Sequence, residues 1–140
     1  MISDSQFTEI ATKNLQVLIL EDDAIAMKFI ENTLRKLEIT NLLTAGNGKQ
    51  GLAILAQHSP DLLLSDLGMP EMDGVEFLQQ LSKQGYGGGV ILVSGFHAEM
   101  LSGMEVLGKK LDLNILGSLT KPFLRDHLAA MIIRFCQNKP

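Results

Sequence analysis

Hydrophobic and polar positions along this chain follow two patterns in turn, and the alternation repeats five times. Unbroken apolar runs (Val17-Leu18-Ile19-Leu20, Leu62-Leu63-Leu64 and Val90-Ile91-Leu92-Val93) suit strands buried on both faces of a sheet. Leu42-Leu43 marks a shorter strand, and Asn114-Ile115-Leu116 opens a last one that runs to Lys121-Pro122. Between the runs the apolar spacing changes to three and four residues, which predicts helices with one apolar face. Their inward positions are Met27, Ile30, Leu34 and Leu37; then Leu52, Leu55 and Ala56; then Val75, Leu78 and Leu81. Leu101, Met104, Leu107 and Leu111 mark the fourth helix, and Leu124, Leu128, Met131 and Phe135 the fifth. Asp23, Asn47 and Asp73 stand at expected N-caps, with Gln50 and Glu76 at capping-box spacing. His58-Ser59-Pro60 stops the second helix, and the Gly85-Tyr86-Gly87-Gly88-Gly89 loop stops the third. Strict alternation predicts an α/β fold with a doubly wound parallel sheet and helices on both faces, because parallel neighbours need right-handed crossovers.

At 140 residues the chain has room for one domain with a real core. The expected division is a tail or short preceding helix over 1–14, the domain over 15–136, and a tail or linker start over 137–140. A net charge of −4 argues against direct nucleic-acid binding. Cys136 is the only cysteine, so no internal disulfide can form, which fits a reducing compartment. No apolar run approaches the roughly 20 residues of a membrane span, and the amino terminus has no signal-peptide core. A cytoplasmic protein with no membrane partner is expected.

Composition does not suggest a chemistry, but the strand ends do. Glu21-Asp22, Asp66, Ser94 and Lys121 each fall where an apolar run stops. In a parallel sheet those ends share one edge, the usual ligand-binding edge of open α/β folds. Clustered carboxylates repel one another and call for a hard divalent cation; a shallow oxygen-lined site suits Mg²⁺. Asp66 is then the candidate nucleophile toward phosphorus, Lys121 a partner for the developing charge, and Ser94 a hydrogen-bond donor. The product is an aspartyl phosphate. Taken singly, each feature has a plainer explanation. Acids favour helix starts, Ser94-Gly95 makes an ordinary turn, Lys121 could be a solvated strand end, and Asp73-Gly74 a simple cap. Met69, Met72, Met100 and Met104 read as loop and core filler, and His58, His97 and His127 have no metal-ligand spacing. The joint arrival of four suitable groups at four strand ends is what favours a site.

Over residues 15–136 these marks resemble the receiver domain of two-component response regulators. The marks are the Glu21-Asp22 pair, Asp66 within Asp-Leu-Gly-Met-Pro-Glu-Met-Asp-Gly, Ser94-Gly95, and Lys121-Pro122-Phe123. The resemblance implies a flavodoxin-like (CheY-like) strand order, 2-1-3-4-5, and phosphotransfer to Asp66 from a histidine kinase or a His-containing phosphotransfer protein. It implies Mg²⁺ held by Asp22, Asp66 and the backbone carbonyl of Gly68, with Glu21 acting through water. It also implies a cis bond between Lys121 and Pro122. The domain is expected to be a phosphoacceptor that dephosphorylates slowly, not an enzyme. Its output surface, and a homodimer face, would be the fourth helix, fifth strand and fifth helix. Phe96 would shield the phosphoryl group from water.

Two departures stand out. Ser118 occupies the place, three residues before the lysine, where receivers carry Tyr or Phe, so the switch readout through residues 94 and 118 must differ. The stretch from Ser94 to Lys121 is also long, which predicts about one extra turn in the fourth helix or a larger loop after it. Its ending is similar to receivers fused to EAL-type cyclic-di-GMP phosphodiesterase domains. Three rivals compete: a phosphorylation-independent interaction module, a haloacid-dehalogenase-like phosphatase, and a flavin-binding flavodoxin. The phosphatase would need a second acid at residue 68, which is glycine. The flavodoxin would need a loop after the first strand that does not repel phosphate.

Overall fold

Leu62, Leu63 and Leu64 are fully buried because their strand lies at the centre of a parallel sheet with a helical layer on each side. The computed structural model describes residues 15–68, 73–95 and 98–137. The strands are β1 (Gln16–Leu20), β2 (Asn41–Ala45), β3 (Leu62–Asp66), β4 (Gly89–Ser94) and β5 (Asn114–Thr120). They alternate with helices α1 (Ala24–Lys36), α2 (Gly48–Leu55), α3 (Gly74–Lys83), α4 (Ala98–Lys110) and α5 (Arg125–Gln137). The sheet order is β2-β1-β3-β4-β5 and every pair is parallel, as expected.

Successive strand side chains point to opposite faces, so each apolar run feeds two cores. Val17, Ile19, Leu62, Leu64, Ile91 and Val93 pack with Ile30 and Leu34 of α1 and with Leu128 and Ile132 of α5. Leu18, Leu20, Leu63, Val90 and Leu92 pack with Phe77, Leu78 and Leu81 of α3 and with Leu101 and Met104 of α4. The three expected caps are present: Asp23, Asn47 and Asp73 accept from the amides of Ala26, Gln50 and Glu76. In α2 the Gln50 side chain accepts from the Gly46 amide, one residue before the cap.

Three inward positions need correction. Val75 is 42% exposed. The buried face of α3 runs through Gly74, Phe77, Leu78 and Leu81, because Gly74 sits so close to α4 that a Cβ would lie 2.6 Å from Met104 Cε. Ala56 is an exposed C-cap; Gly51 takes the inner position, against Leu20. Leu111 keeps its inward place just past the end of α4, partly buried against the core. Leu124 precedes α5 and is 66% exposed.

The long stretch after Ser94 is spent on a 13-residue helix and a seven-residue strand with a bulge. Val90 pairs with Ile115 and Ile91 with Gly117, which leaves Leu116 as the extra residue. Gly117 has φ +154°, a conformation that favours glycine. The extra residue puts Ile115 and Ser118, three apart, on the same face.

Candidate functional site

The strand ends meet as the topology requires. Asp66 is the last residue of β3, buried, and pairs in register with Val93; Ser94 is the next residue of β4 and is fully buried. The Leu67 amide donates to the Val93 carbonyl at 2.9 Å, and the Lys121 amide to the Ser94 carbonyl at 2.8 Å, so the three loops are laced together by backbone.

Lys121 reaches across this edge. Its Nζ donates to Asp66 Oδ2 at 3.0 Å and makes an ion pair with Glu21 Oε1 at 2.5 Å. The other Glu21 oxygen accepts from the Asp23 amide at 3.1 Å, and Asp66 Oδ1 accepts from the Gly68 amide at 2.9 Å. Asp22 stands exposed at the rim, and one carboxylate oxygen from each of Glu21, Asp22 and Asp66 lies within 4.8 Å of the others.

Burial pushes the Glu21 carboxyl above its ordinary value, outweighing the pull of Lys121 and the Asp23 amide; the Asp66 charge adds to the rise. Burial would lower the Lys121 ammonium, but its contacts with Glu21 and Asp66 outweigh that and hold it above its ordinary value. The lysine is therefore a fixed cation shared between two buried acids. Three carboxylates around one ammonium leave the pocket short of positive charge. Oxygen donors of this kind, one of them open to solvent, suit a hard cation that keeps part of its water shell.

The structure brings Glu21, Asp22, Asp66, Ser94, Gly68 and Lys121 to one edge. Gly68 touches Asp66 through its amide. The Lys121–Pro122 bond is cis. Met69, Met72, Phe96, His97 and both chain ends (1–14 and 138–140) lie outside the described residues. Sequence reasoning missed two contacts. Phe123, after the cis bond, meets Phe29 of α1 edge to face, with centroids 5.6 Å apart. Ser118 Oγ donates to Glu105 Oε2 of α4 at 2.7 Å. The Phe123 contact had a signal, an aromatic directly after Lys121-Pro122; the Glu105 contact had none.

Residues 17–133 match the response regulator receiver domain. The chain belongs to that family. It is 28% identical over 130 residues to the probable C4-dicarboxylate response regulator DctR of Bacillus subtilis, covering 92% of this chain and 55% of that protein. It is 33% identical over 123 residues to the cyclic di-GMP phosphodiesterase RocR of Pseudomonas aeruginosa, covering 87% of this chain and 31% of that one. The chain thus spans about half or less of the curated relatives it matches. Among solved structures, a response regulator from Colwellia psychrerythraea superposes with TM-score 0.77 at 24% identity, over 91% of this chain and all of that one. The receiver domain of a Pseudomonas aeruginosa sensor histidine kinase superposes with TM-score 0.73 at 23% identity, over 89% and 99%. That structure carries a magnesium ion in its active-site cleft.

Receiver domains are phosphoacceptors that bind Mg²⁺ at an acidic site and work with histidine kinases or phosphotransfer proteins. Membership in this family disposes of the phosphatase and flavodoxin rivals and disfavours the phosphorylation-independent module. Among the described residues, no helix is long and apolar enough to cross a membrane.

Proposed function

We propose that Asp66 is the phosphoacceptor of this receiver, activated and charge-balanced by the groups around it. The observation that carries this reading is the Lys121 ammonium seated on Asp66 Oδ2 beside a metal-capable acidic trio. An Asp66 oxygen attacks phosphorus, the bond from phosphorus to the donor breaks, and the donor leaves with its electron pair. From a phosphohistidine donor that leaving group is a neutral imidazole once it has taken up a proton. Asp22, Asp66 and the Gly68 carbonyl would hold Mg²⁺ directly, and Glu21 through water. Bound there, the ion supplies charge neutralisation for the oxygens of the transferring group. Lys121 leaves Asp66 Oδ2 to meet the incoming phosphoryl oxygens, and Ser94 donates its hydroxyl to them. Gly68 and Asp23 amides keep the two buried carboxylates oriented while this happens.

The phosphodonor, a histidine kinase or His-containing phosphotransfer protein, docks on the apolar surface beside the site. Ile25 is 81% exposed, Phe29 46% and Leu124 66%, and Phe123 packs on Phe29 between them. Large exposed apolar side chains grouped beside a charged site suit a helical protein partner. The domain occupies residues 15–136 in a cytoplasmic setting, with residues 137–140 a tail or the start of a linker. The likeness to RocR supports an EAL-type phosphodiesterase output, and α4, β5 and α5 would form the output or homodimer face.

Incubation with acetyl phosphate and Mg²⁺ should add one phosphoryl group by intact mass, and Asp66→Asn should abolish the gain. A gain that persists in that variant places the chemistry elsewhere, and no gain in the wild type restores the phosphorylation-independent module.

A further inference from the structure

The bond from Ser118 to Glu105 is a polar tie across the seam between β5 and α4. Both elements run straight into the site. β5 continues through Thr120 to Lys121, and α4 begins at Ala98, four residues after Ser94. The Lys121 amide is bonded to the Ser94 carbonyl, so the two loops are also joined at the site itself.

Along the seam the contacts differ in kind. At Gly108 the helix approaches so closely that a Cβ would lie 2.6 Å from Ile115 Cδ1, and the Gly108 carbonyl accepts from the Leu113 amide, just before β5, at 3.0 Å. One turn nearer the site, the half-buried Glu105 takes the Ser118 hydroxyl at 2.7 Å. Still nearer, Met104 and Leu101 pack in the same core as Leu67, which directly follows Asp66. The helix thus has a packed, backbone-bonded pivot at Gly108 and a side-chain hydrogen bond at Glu105. The bulge at Leu116 and the positive φ of Gly117 are what turn Ser118 toward the helix.

We propose that the Ser118–Glu105 hydrogen bond holds α4 in its unphosphorylated position, and that it breaks when a phosphoryl group on Asp66 draws Lys121 and Ser94 inward. This rests on the phosphoacceptor reading of Asp66. The physical reason is the shared backbone. Lys121 is three residues from Ser118, and α4 is leashed to Ser94, so a shift of both loops toward Asp66 shears the seam. A short bond with strict geometry yields first, and apolar contacts tolerate sliding. Ser118 and Glu105 act as positioning residues, neither touching the phosphoryl group.

Hydrogen exchange over residues 98–107 and unfolding of single and double variants test this. A hydrogen bond to a charged acceptor is strong enough that its loss should speed local exchange about tenfold. Ser118→Ala and Glu105→Ala should each do so without ligand, and together should do no more than either alone. Ser118→Thr, which keeps the hydroxyl, should restore slow exchange. Beryllofluoride with Mg²⁺ should bring wild-type exchange to the Ser118→Ala level and leave that variant unchanged. Ser118→Ala should also be phosphorylated faster by acetyl phosphate. Additive effects of the two alanine substitutions, or slower wild-type α4 exchange with beryllofluoride, would overturn the proposal. Beryllofluoride that leaves wild-type α4 exchange untouched, while acetyl phosphate still phosphorylates Asp66, would overturn the proposal; failure of acetyl phosphate to phosphorylate the wild type, with the variants still coupled, would overturn the phosphoacceptor reading and leave the tie standing.

Discussion

The two edges of the sheet make an instructive pair. The amino edge holds a groove of about 560 Å³ lined by Pro60, Asp61, Tyr86, Leu116, Arg134 and Phe135, among others. The carboxyl edge holds the proposed chemistry. In the groove the buried polar groups settle each other's needs locally. The Tyr86 hydroxyl lies within hydrogen-bond reach of the Pro60 and Gly89 carbonyls, and Asp61 accepts from the Gln16 amide. These bonds hold the ends of β1, β3 and β4 together. At the carboxyl edge, two buried acids share one lysine and a third acid waits at the rim. A site able to recruit a cation and a phosphoryl group is one whose own charges do not balance.

Breaking the carboxyl edge should have the largest effect on activity and little at the groove. Lys121→Ala should slow Asp66 phosphorylation by roughly 10²-fold, the scale of losing one fixed donor to developing charge; quench kinetics with acetyl phosphate would measure it. Rates within a factor of about two of wild type would show that the lysine is a strut and not a participant.

The amino edge should respond in stability and not in chemistry. Tyr86→Phe should cost about 1–3 kcal/mol, since it strips a donor from two carbonyls, and should leave phosphorylation intact. Gly88→Ala should be at least as damaging, because its Cβ would run into the Tyr86 hydroxyl. Denaturant titrations measure both. Burial, reinforced by the Asp61 charge, pushes the Tyr86 phenol well above its ordinary value of 10.0. A group raised on folding stabilises fully below its unfolded value and loses that contribution as pH climbs. Stability should therefore fall above pH 10 by up to about 1.4 kcal/mol per pH unit from this group. The Tyr86→Phe variant should lack that slope. Tyr86 is the only tyrosine, so its ionisation can be followed by ultraviolet absorbance without interference.

The smallest effect should come from Ser65, next to Asp66 yet outside the network. It is fully buried between Leu20 and Leu92 in register, and its hydroxyl has no hydrogen-bond partner among the described residues. Ser65→Ala should be neutral or stabilising by about 1 kcal/mol, since it removes an unpaired polar group from an apolar setting. A clear loss of stability would mean that the hydroxyl bonds a buried water.

Much of this protein could be read from its residues in order. Five apolar runs alternating with helical spacing dictated the parallel sheet, and Asp23, Asn47 and Asp73 announced their helices, because strand burial and capping are local preferences. The convergence of Glu21, Asp22, Asp66, Ser94 and Lys121 followed from chain direction alone: parallel strands end on one side. What needed three dimensions was everything set by close approach between distant segments. Val75 lost its inward place to Phe77 because Gly74 meets Met104, and Leu124 stayed outside because α5 starts one residue later. The bulge at Leu116, the sharing of Lys121 between Glu21 and Asp66, and the bond from Ser118 to Glu105 belong to the same class. Periodicity tells which face a residue occupies, but only the packed structure tells which atom it meets there.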